Sequence, residues 1–454
     1  MLVSINPATG EKAYDVESLD EAGLNQTIEA AAKAAASWRK TSIAERAKVL
    51  HGVAGVLRSR KDRMGALMTE EMGKPLKEAG PEVEKGAWCA EHYAEHAAVY
   101  LQDEVIASDA AKSYVSYEPL GAILCIFPWN APIWVAMRGI VPALMAGNTV
   151  VFKHDPHVPA CAAALEQAFR DAGAPADILR NLPIPTSLAE QAIRHSAIQA
   201  VSFTGSSKAG AIVASTAASE VKHSVLELGG SDPFIVLADA DLEKAADIAA
   251  LSRIINAGQS CIAAKRIIIE APVYEKFVGM LKERLSKLTV GDPSKAETDV
   301  GPIAREDLRE NLHRQVARTV EEGAECLLGG ELPEGPGYFY PVTLLAGVTP
   351  KMCAFNEETF GPVMVAVQAK DADSALELAN HTAYGLGAAV WTANAERALH
   401  FAKELQAGQV SINGIVKSDP RLPSGGIKRS GFGRELGPHG IREFTNAKQI
   451  WIGG

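Results

Sequence analysis

Residues 121–153 read GAILCIFPWNAPIWVAMRGIVPALMAGNTVVFK. The run Ala122–Phe127 is continuously apolar and bounded by Gly121 and Pro128, the signature of a short strand buried on both faces. "WVAMRGIVPALMAG" (134–147) continues at helical spacing, and "NTVVFK" (148–153) returns to a strand. Strand, helix and strand in so short a span make a parallel crossover, which closes right-handed. The pattern then repeats: "PACAAALEQAFRDAG" (159–173) is a helix, "AVSFTGS" (200–206) a strand, and "SKAGAIVASTAAS" (207–219) a helix. A second alternating set runs from "PFIVLADADLEKAADIAALSRIINAG" (233–258) through "RIIIEAPVYEKFVGMLKERLSKL" (266–288) to "SALELANHTAYGLGAAVWT" (374–392) and "QVSING" (409–414). The expected class is α/β, with two parallel-sheet halves joined near "ELGGSDP" (227–233).

Outside this core the periods change. The first hundred residues are dominated by amphipathic helices that follow Ser and Asp caps, among them 82–101, "EVEKGAWCAEHYAEHAAVYL". At "KSYVSYEPLG" (112–121) the period drops to two, which predicts a strand or hairpin. The final "FTNAKQIWIGG" (444–454) reads as a terminal strand in need of a partner, which another subunit could supply.

With 454 residues the chain exceeds the size at which one core keeps growing, so two or more domains are expected. Hydrophobic residues make up 47% and charged residues 22%, ordinary for a globular protein. A formal charge of −10 and the lack of a basic stripe argue against nucleic acid as a partner. The six cysteines are scattered, with no C-x-x-C and no histidine cluster, a pattern of free thiols in a reducing compartment without a metal site. The opening "MLVSINPATGEK" lacks the basic and apolar regions of a signal peptide, and no apolar run reaches membrane-span length. A cytoplasmic protein with no membrane partner is expected.

Four segments carry candidate chemistry. In "NAGQSCIAAKR" (256–266), Cys261 is either a small core filler or a nucleophile; Gly258 and the polar pair Gln259-Ser260 are unusual for a routine core segment. Glu227 ends an apolar run just before Gly229 and Gly230, either as a surface acid or as a base at the strand end where open α/β sheets place ligands. Asn130 in "FPWNAP" is either a turn residue or an amide held between prolines to donate to an oxyanion. "FTGSSKAG" (203–210) opens a helix with small residues that suit a pyrophosphate, but it departs from G-x-G-x-x-G and also fits an ordinary capped helix.

Taken in order, "INPATGE", "PWNAP", "PALMAGNTVVFK", "FTGS", "LELGGSDP", "GQSC", "EETFGPV" and "SGGIKRSGFGREL" resemble the aldehyde dehydrogenase superfamily nearly end to end. "LELGGSDPF", "GQSCIAAKR" and "VKSDPRLPSGGIKRSGFGREL" look most like its bacterial succinate-semialdehyde dehydrogenases. The resemblance implies a Rossmann-type cofactor domain (1–98 and 119–229), an α/β catalytic domain (230–430), and a small oligomerisation β-extension (99–118 and 440–454) of a homodimer or homotetramer. It implies that Cys261 attacks an aldehyde to give a thiohemiacetal. Asn130 and the Cys261 N–H would hold the oxyanion, Glu227 would activate water for hydrolysis of the thioester, and Glu435 would help move protons.

For the cofactor, Trp129, Lys153, Gly205 and Ser206 match positions at the adenosine and phosphates, and Glu358 and Phe360 those near the nicotinamide ribose. The family commonly has Lys-Pro-Ser/Ala-Glu, where this chain reads Lys153-His154-Asp155-Pro156. Pro156 neither repels a 2′-phosphate nor anchors a free 2′-hydroxyl, so NADP is expected, with NAD also possible. For the substrate, Arg138 matches an arginine that holds the carboxylate of succinate semialdehyde, and Ser418 lies near a second such contact. A further arginine found in some relatives is Ile255 here. Ala131 and Ser424 stand where many members carry rings in the aldehyde tunnel, which predicts a wider pocket and leaves a benzaldehyde-, vanillin- or salicylaldehyde-type substrate as the alternative. Two other readings are an acyl transferase to coenzyme A, which Glu227 opposes, and a non-catalytic relative.

Overall fold

The computed structural model describes residues 1–453. Two sheets organise it. The first has six strands in the order Gly431–Phe432, His223–Glu227, Ile198–Thr204, Ala122–Phe127, Thr149–His154 and Leu179–Asn181. All are parallel except the short first one, which runs antiparallel to His223–Glu227. The second has seven strands, ordered Glu325–Leu328, Thr343–Ala346, Val363–Ala369, Arg266–Glu270, Pro233–Val236, Gly387–Trp391 and Gln409–Ile412. Only its first edge strand is antiparallel.

The central strands are apolar throughout because helices cover both faces of each sheet. Ala122–Phe127 and Thr149–His154 are buried at every position. Helix Trp134–Met145 is also buried at all twelve positions, so its one charged residue, Arg138, has to find a partner inside the protein. Helix Leu76–Tyr100 packs beside it, and Glu82 caps it: one carboxylate oxygen accepts from the N–H groups of Ile133 at 2.9 Å and Trp134 at 3.1 Å.

Two elements differ from the sequence expectation. The N-terminus forms an antiparallel hairpin, Leu2–Ile5 with Lys12–Val16, ahead of the helices. The terminal strand Thr445–Ile452 finds its partner within the chain: it pairs antiparallel with Lys112–Pro119 over eight positions, in a three-stranded sheet completed by Glu104–Val105. A long matching register close at hand satisfies its backbone without another subunit. No helix among the described residues is long and apolar enough to cross a membrane.

Candidate active site

The strand order creates the site. From Ala122–Phe127 the chain steps outward to Thr149–His154 and Leu179–Asn181, then restarts on the opposite side with Ile198–Thr204. The crevice above the carboxyl ends at such a reversal is where open α/β sheets bind ligands. Asn130 follows the first of these strands, Gly205 and Ser206 follow Ile198–Thr204, and Glu227 ends His223–Glu227 opposite Thr204. The link 228–232 then crosses to the second sheet, where Pro233 pairs with Arg266. Cys261 lies on the loop just before Arg266, so the two sheets bring it opposite the crevice.

That loop is strained and clamped. Asn256, Ala257 and Gly258 have φ of 56°, 54° and 73°, a conformation that costs a non-glycine residue about 1 kcal/mol or more. Glu78 accepts from the Asn256 N–H at 2.7 Å. Arg253, fully buried, donates to the carbonyls of Gly258 at 3.1 Å and Thr359 at 2.9 Å, and also to that of Gly361. Lys265 donates to the carbonyls of Ser260 at 2.9 Å and Cys261 at 2.7 Å. Asn130 is tied to the same loop from both ends: its carbonyl accepts from Asn256 Nδ2 at 2.7 Å, and its Nδ2 donates to the Gln259 carbonyl at 3.0 Å. An amide nitrogen carries two hydrogens, so one remains beside the cysteine.

The electrostatics set the resting protonation. Burial pushes the half-buried Cys261 thiol up to about 11, against the pull of Arg138 and Lys265. Burial and the neighbouring Glu435 raise the Glu227 carboxyl, opposed by Arg138 and Arg434, and Glu227 Oε1 has no hydrogen-bond partner. Burial also raises Glu435, opposed by Arg138, whose Nε lies 2.6 Å from Glu435 Oε2. Cys261, Glu227 and Glu435 are thus linked electrostatically through one buried arginine, Arg138.

A cavity of about 530 Å³ opens onto Cys261, and Asn130, Ala131, Trp134, Arg138, Lys85 and Ser418 are in its wall. The structure does not bring Ser424 there. Its backbone instead exchanges hydrogen bonds with Glu435 at 2.7 and 2.8 Å, and its hydroxyl accepts from Gln409 at 3.2 Å, so it holds the strand that carries Glu435. Four residues carry no signal in the sequence: Lys85, Glu78, Lys265 and Arg253. On a helix or after a cysteine they look like ordinary solvated charges, and only the packing of distant segments reveals otherwise.

The cofactor candidates lie around the first sheet's crevice. Lys153, near the end of Thr149–His154, is buried without a carboxylate in ion-pair reach and donates only to the His154 carbonyl at 3.3 Å. Asp155, ahead of the half-buried Pro156, is engaged by His157 at 2.6 Å. Ser206 caps helix Ser207–Ser219 by accepting from Ala209. The preceding Thr204 hydroxyl is buried and unpaired. Trp129 meets Phe360 edge to face at 5.8 Å. Glu358 accepts from the Gly230 N–H at 3.1 Å and faces Lys265 at 3.4 Å; a side chain at Gly229 would meet its carboxylate at 2.2 Å. A free ammonium, a capped helix start, an unpaired hydroxyl and an acid over glycines suit a dinucleotide's phosphates and ribose.

Fold and site define a class: an α/β protein of two parallel sheets with a candidate nucleophilic cysteine set between them. The chain belongs to the aldehyde dehydrogenase family, whose model matches residues 1–450. It is similar to a probable NADP(+) succinate-semialdehyde dehydrogenase of Synechocystis, with 45% identity over 99% of each chain. It is equally similar to the NAD(P)(+) succinate semialdehyde dehydrogenase of Escherichia coli strain K12, at 45% identity over 99% of this chain and 97% of that one. Among solved structures, the succinic semialdehyde dehydrogenase of Streptococcus pyogenes in complex with NADP+ superposes with a TM-score of 0.98 at 34% identity, covering 100% of both chains.

Proposed function

We propose that this aldehyde dehydrogenase oxidises succinate semialdehyde to its dicarboxylic acid, with NADP as cofactor and NAD also accepted. The observation that carries the substrate reading is a cavity with Cys261 in its wall and two cations, Lys85 and Arg138, beside it. Relatives named for this substrate match at 45% identity over nearly their full lengths, which supports the same reading.

Each step follows from a group's position. Glu227, once ionised, takes the proton of Cys261, and the thiolate attacks the aldehyde carbon. The developing O⁻ is met by the free Asn130 N–H and by the Cys261 backbone N–H, which makes no hydrogen bond among the described residues. Arg138 and Lys265 favour the anionic forms of this pocket. Glu358 and Phe360 would hold the nicotinamide end of a bound cofactor and Lys153, Gly205 and Ser206 its phosphates, and the cofactor would supply the hydride acceptor for the adduct. Glu227 then releases the thiol's proton outward by way of Glu435, deprotonates the water that hydrolyses the thioester, and Cys261 leaves as thiolate, the water's proton following the same route. The same residues fit either nicotinamide cofactor; the engaged Asp155 and the free Lys153 leave room for a 2′-phosphate.

The cavity is larger than succinate semialdehyde needs, and Ala131 in its wall supports a second reading, a bulkier aromatic aldehyde. Rates of cofactor reduction with succinate semialdehyde and benzaldehyde, each with NADP and NAD, discriminate the two. A preference for benzaldehyde overturns the first reading, and a strong NAD preference overturns the cofactor assignment. The protein is further read as a cytoplasmic homodimer or homotetramer that associates through the three-stranded sheet, whose Val105 and Trp451 are 76% and 52% exposed.

A further inference from the structure

Lys265 follows Cys261 by four residues, and its side chain turns back on the loop that carries the cysteine. It is 1% exposed. Its ammonium has three partners: the Ser260 carbonyl at 2.9 Å, the Cys261 carbonyl at 2.7 Å and Glu358 Oε1 at 3.4 Å. An ammonium carries three N–H bonds, so none is left for substrate or solvent. Glu358 balances the charge, and the buried Asp232 is a second acid within its electrostatic reach. Burying an ammonium is costly even when it is paired, and nothing in the reaction described above needs this one to gain or lose a proton.

The two carbonyls it holds belong to consecutive peptide groups. In a trans peptide the C=O and the N–H point to opposite sides of the chain. The peptide joining Ser260 to Cys261 has its oxygen on Lys265, so its hydrogen, on the Cys261 nitrogen, points away from the ammonium. The next peptide has the Cys261 oxygen on Lys265, and the Ile262 N–H points away in the same manner. Neither N–H makes a hydrogen bond among the described residues. Ser260, Cys261 and Ile262 all line the cavity. A cation bonded to a carbonyl also polarises the peptide, which strengthens its N–H as a donor.

We propose that Lys265 is the positioning residue of the oxyanion site: by holding the Ser260 and Cys261 carbonyls, it aims the Cys261 N–H, with the Ile262 N–H beside it, at the oxygen of the aldehyde adduct. This assignment rests on the reading of Cys261 as the nucleophile. Lys265 acts through the two peptide groups and touches no substrate atom. A lysine that merely kept the loop in place would serve every reaction of Cys261 equally. One that aims N–H donors serves only reactions in which an oxygen becomes negative. Lys265 also pulls the Cys261 thiol down, against Glu358 and Asp232, and that influence reaches all reactions of the sulfur alike.

The test sets two reactions of Cys261 side by side in the wild type, Lys265→Met and Lys265→Gln. The first is NADP-dependent oxidation of whichever of succinate semialdehyde and benzaldehyde the wild type turns over faster. The second is alkylation of Cys261 by iodoacetamide, followed by mass spectrometry of the peptide that contains it. There the sulfur displaces iodide at a saturated carbon and no oxyanion forms, so the rate reads the thiol and its loop alone. In both variants kcat/KM is expected to fall about a hundredfold. Alkylation is expected to slow less than about tenfold, the share owed to a charge lost beside the thiol. A loss in kcat/KM about ten times the loss in alkylation, or more, supports the proposal; a smaller gap, or an unchanged kcat/KM, overturns it. Circular dichroism reports that each variant is folded, and Lys265→Gln keeps a polar group in the buried site should Lys265→Met unfold. Turnover by Cys261→Ala overturns the nucleophile reading itself. Turnover lost in Cys261→Ala but kept in the Lys265 variants overturns the Lys265 assignment alone.

Discussion

Cys261 and Glu227 both lie within the electrostatic reach of Arg138, and burial favours the protonated form of each. A nucleophile stored as a thiol needs a base, and the base works only once its own raised pKa has been passed. Activity with a neutral aldehyde is therefore predicted to rise from neutral into alkaline pH, as Glu227 and then Cys261 lose protons. A kcat/KM profile with butanal checks this; a plateau reached below pH 6 contradicts it. Glu227→Gln is expected to lower kcat about a hundredfold or more, and acid-quenched protein followed by mass spectrometry checks whether turnover stalls before or after acylation. Arg138→Ala is expected to slow succinate semialdehyde more than butanal, and unchanged turnover of succinate semialdehyde contradicts a carboxylate contact at Arg138. At this scale the local pattern marks Cys261, Asn130 and Glu227 as unusual but leaves each with a bland alternative, and only the ordered set of motifs along the chain singles them out. Lys85 breaks no pattern. It fits an amphipathic helix, and only the packing of Trp134 and Ser418 against that helix turns it inward.

The loop 256–261 shows what an element has to do to hold one atom. Two non-glycine residues adopt left-handed φ, and Arg253, Lys265 and Glu78, from three separate places in the sequence, fix its carbonyls and an N–H. A Cβ at Gly258 would lie 2.3 Å from the Gly361 carbonyl oxygen, and the loop cannot absorb that without moving Cys261. Gly258→Ala is accordingly expected to cut kcat about a hundredfold while the protein stays folded, with circular dichroism as the control. The alternating strands and helices were legible because their period and apolar runs are local properties. The hairpin Leu2–Val16 was not, since its strands are short and mixed in polarity. The partner of Thr445–Ile452 was not either, because no local signal tells a strand which distant edge it will meet.

At the scale of the whole molecule, the segment that leaves Ala122–Phe127 of the first sheet is hydrogen-bonded through Asn130 to the loop that enters Arg266–Glu270 of the second. The candidate site is therefore a property of the junction: Asn130 and Glu227 follow or end strands of the first sheet, and Cys261 precedes a strand of the second. The three-stranded sheet stands apart from the site and exposes Val105, Ile106 and Trp451. Light scattering is expected to report a dimer or tetramer, and Trp451→Asp to shift it toward smaller species. Cys261 is read as the nucleophile through which NADP oxidises an aldehyde that carries its own carboxylate. The most direct measurement is kcat/KM for succinate semialdehyde against benzaldehyde, followed by NADPH formation at neutral pH. A carboxylate-bearing substrate gives the higher value for succinate semialdehyde and no NADPH from Cys261→Ala with either aldehyde; an equal or higher value for benzaldehyde, or turnover by Cys261→Ala, rules this out.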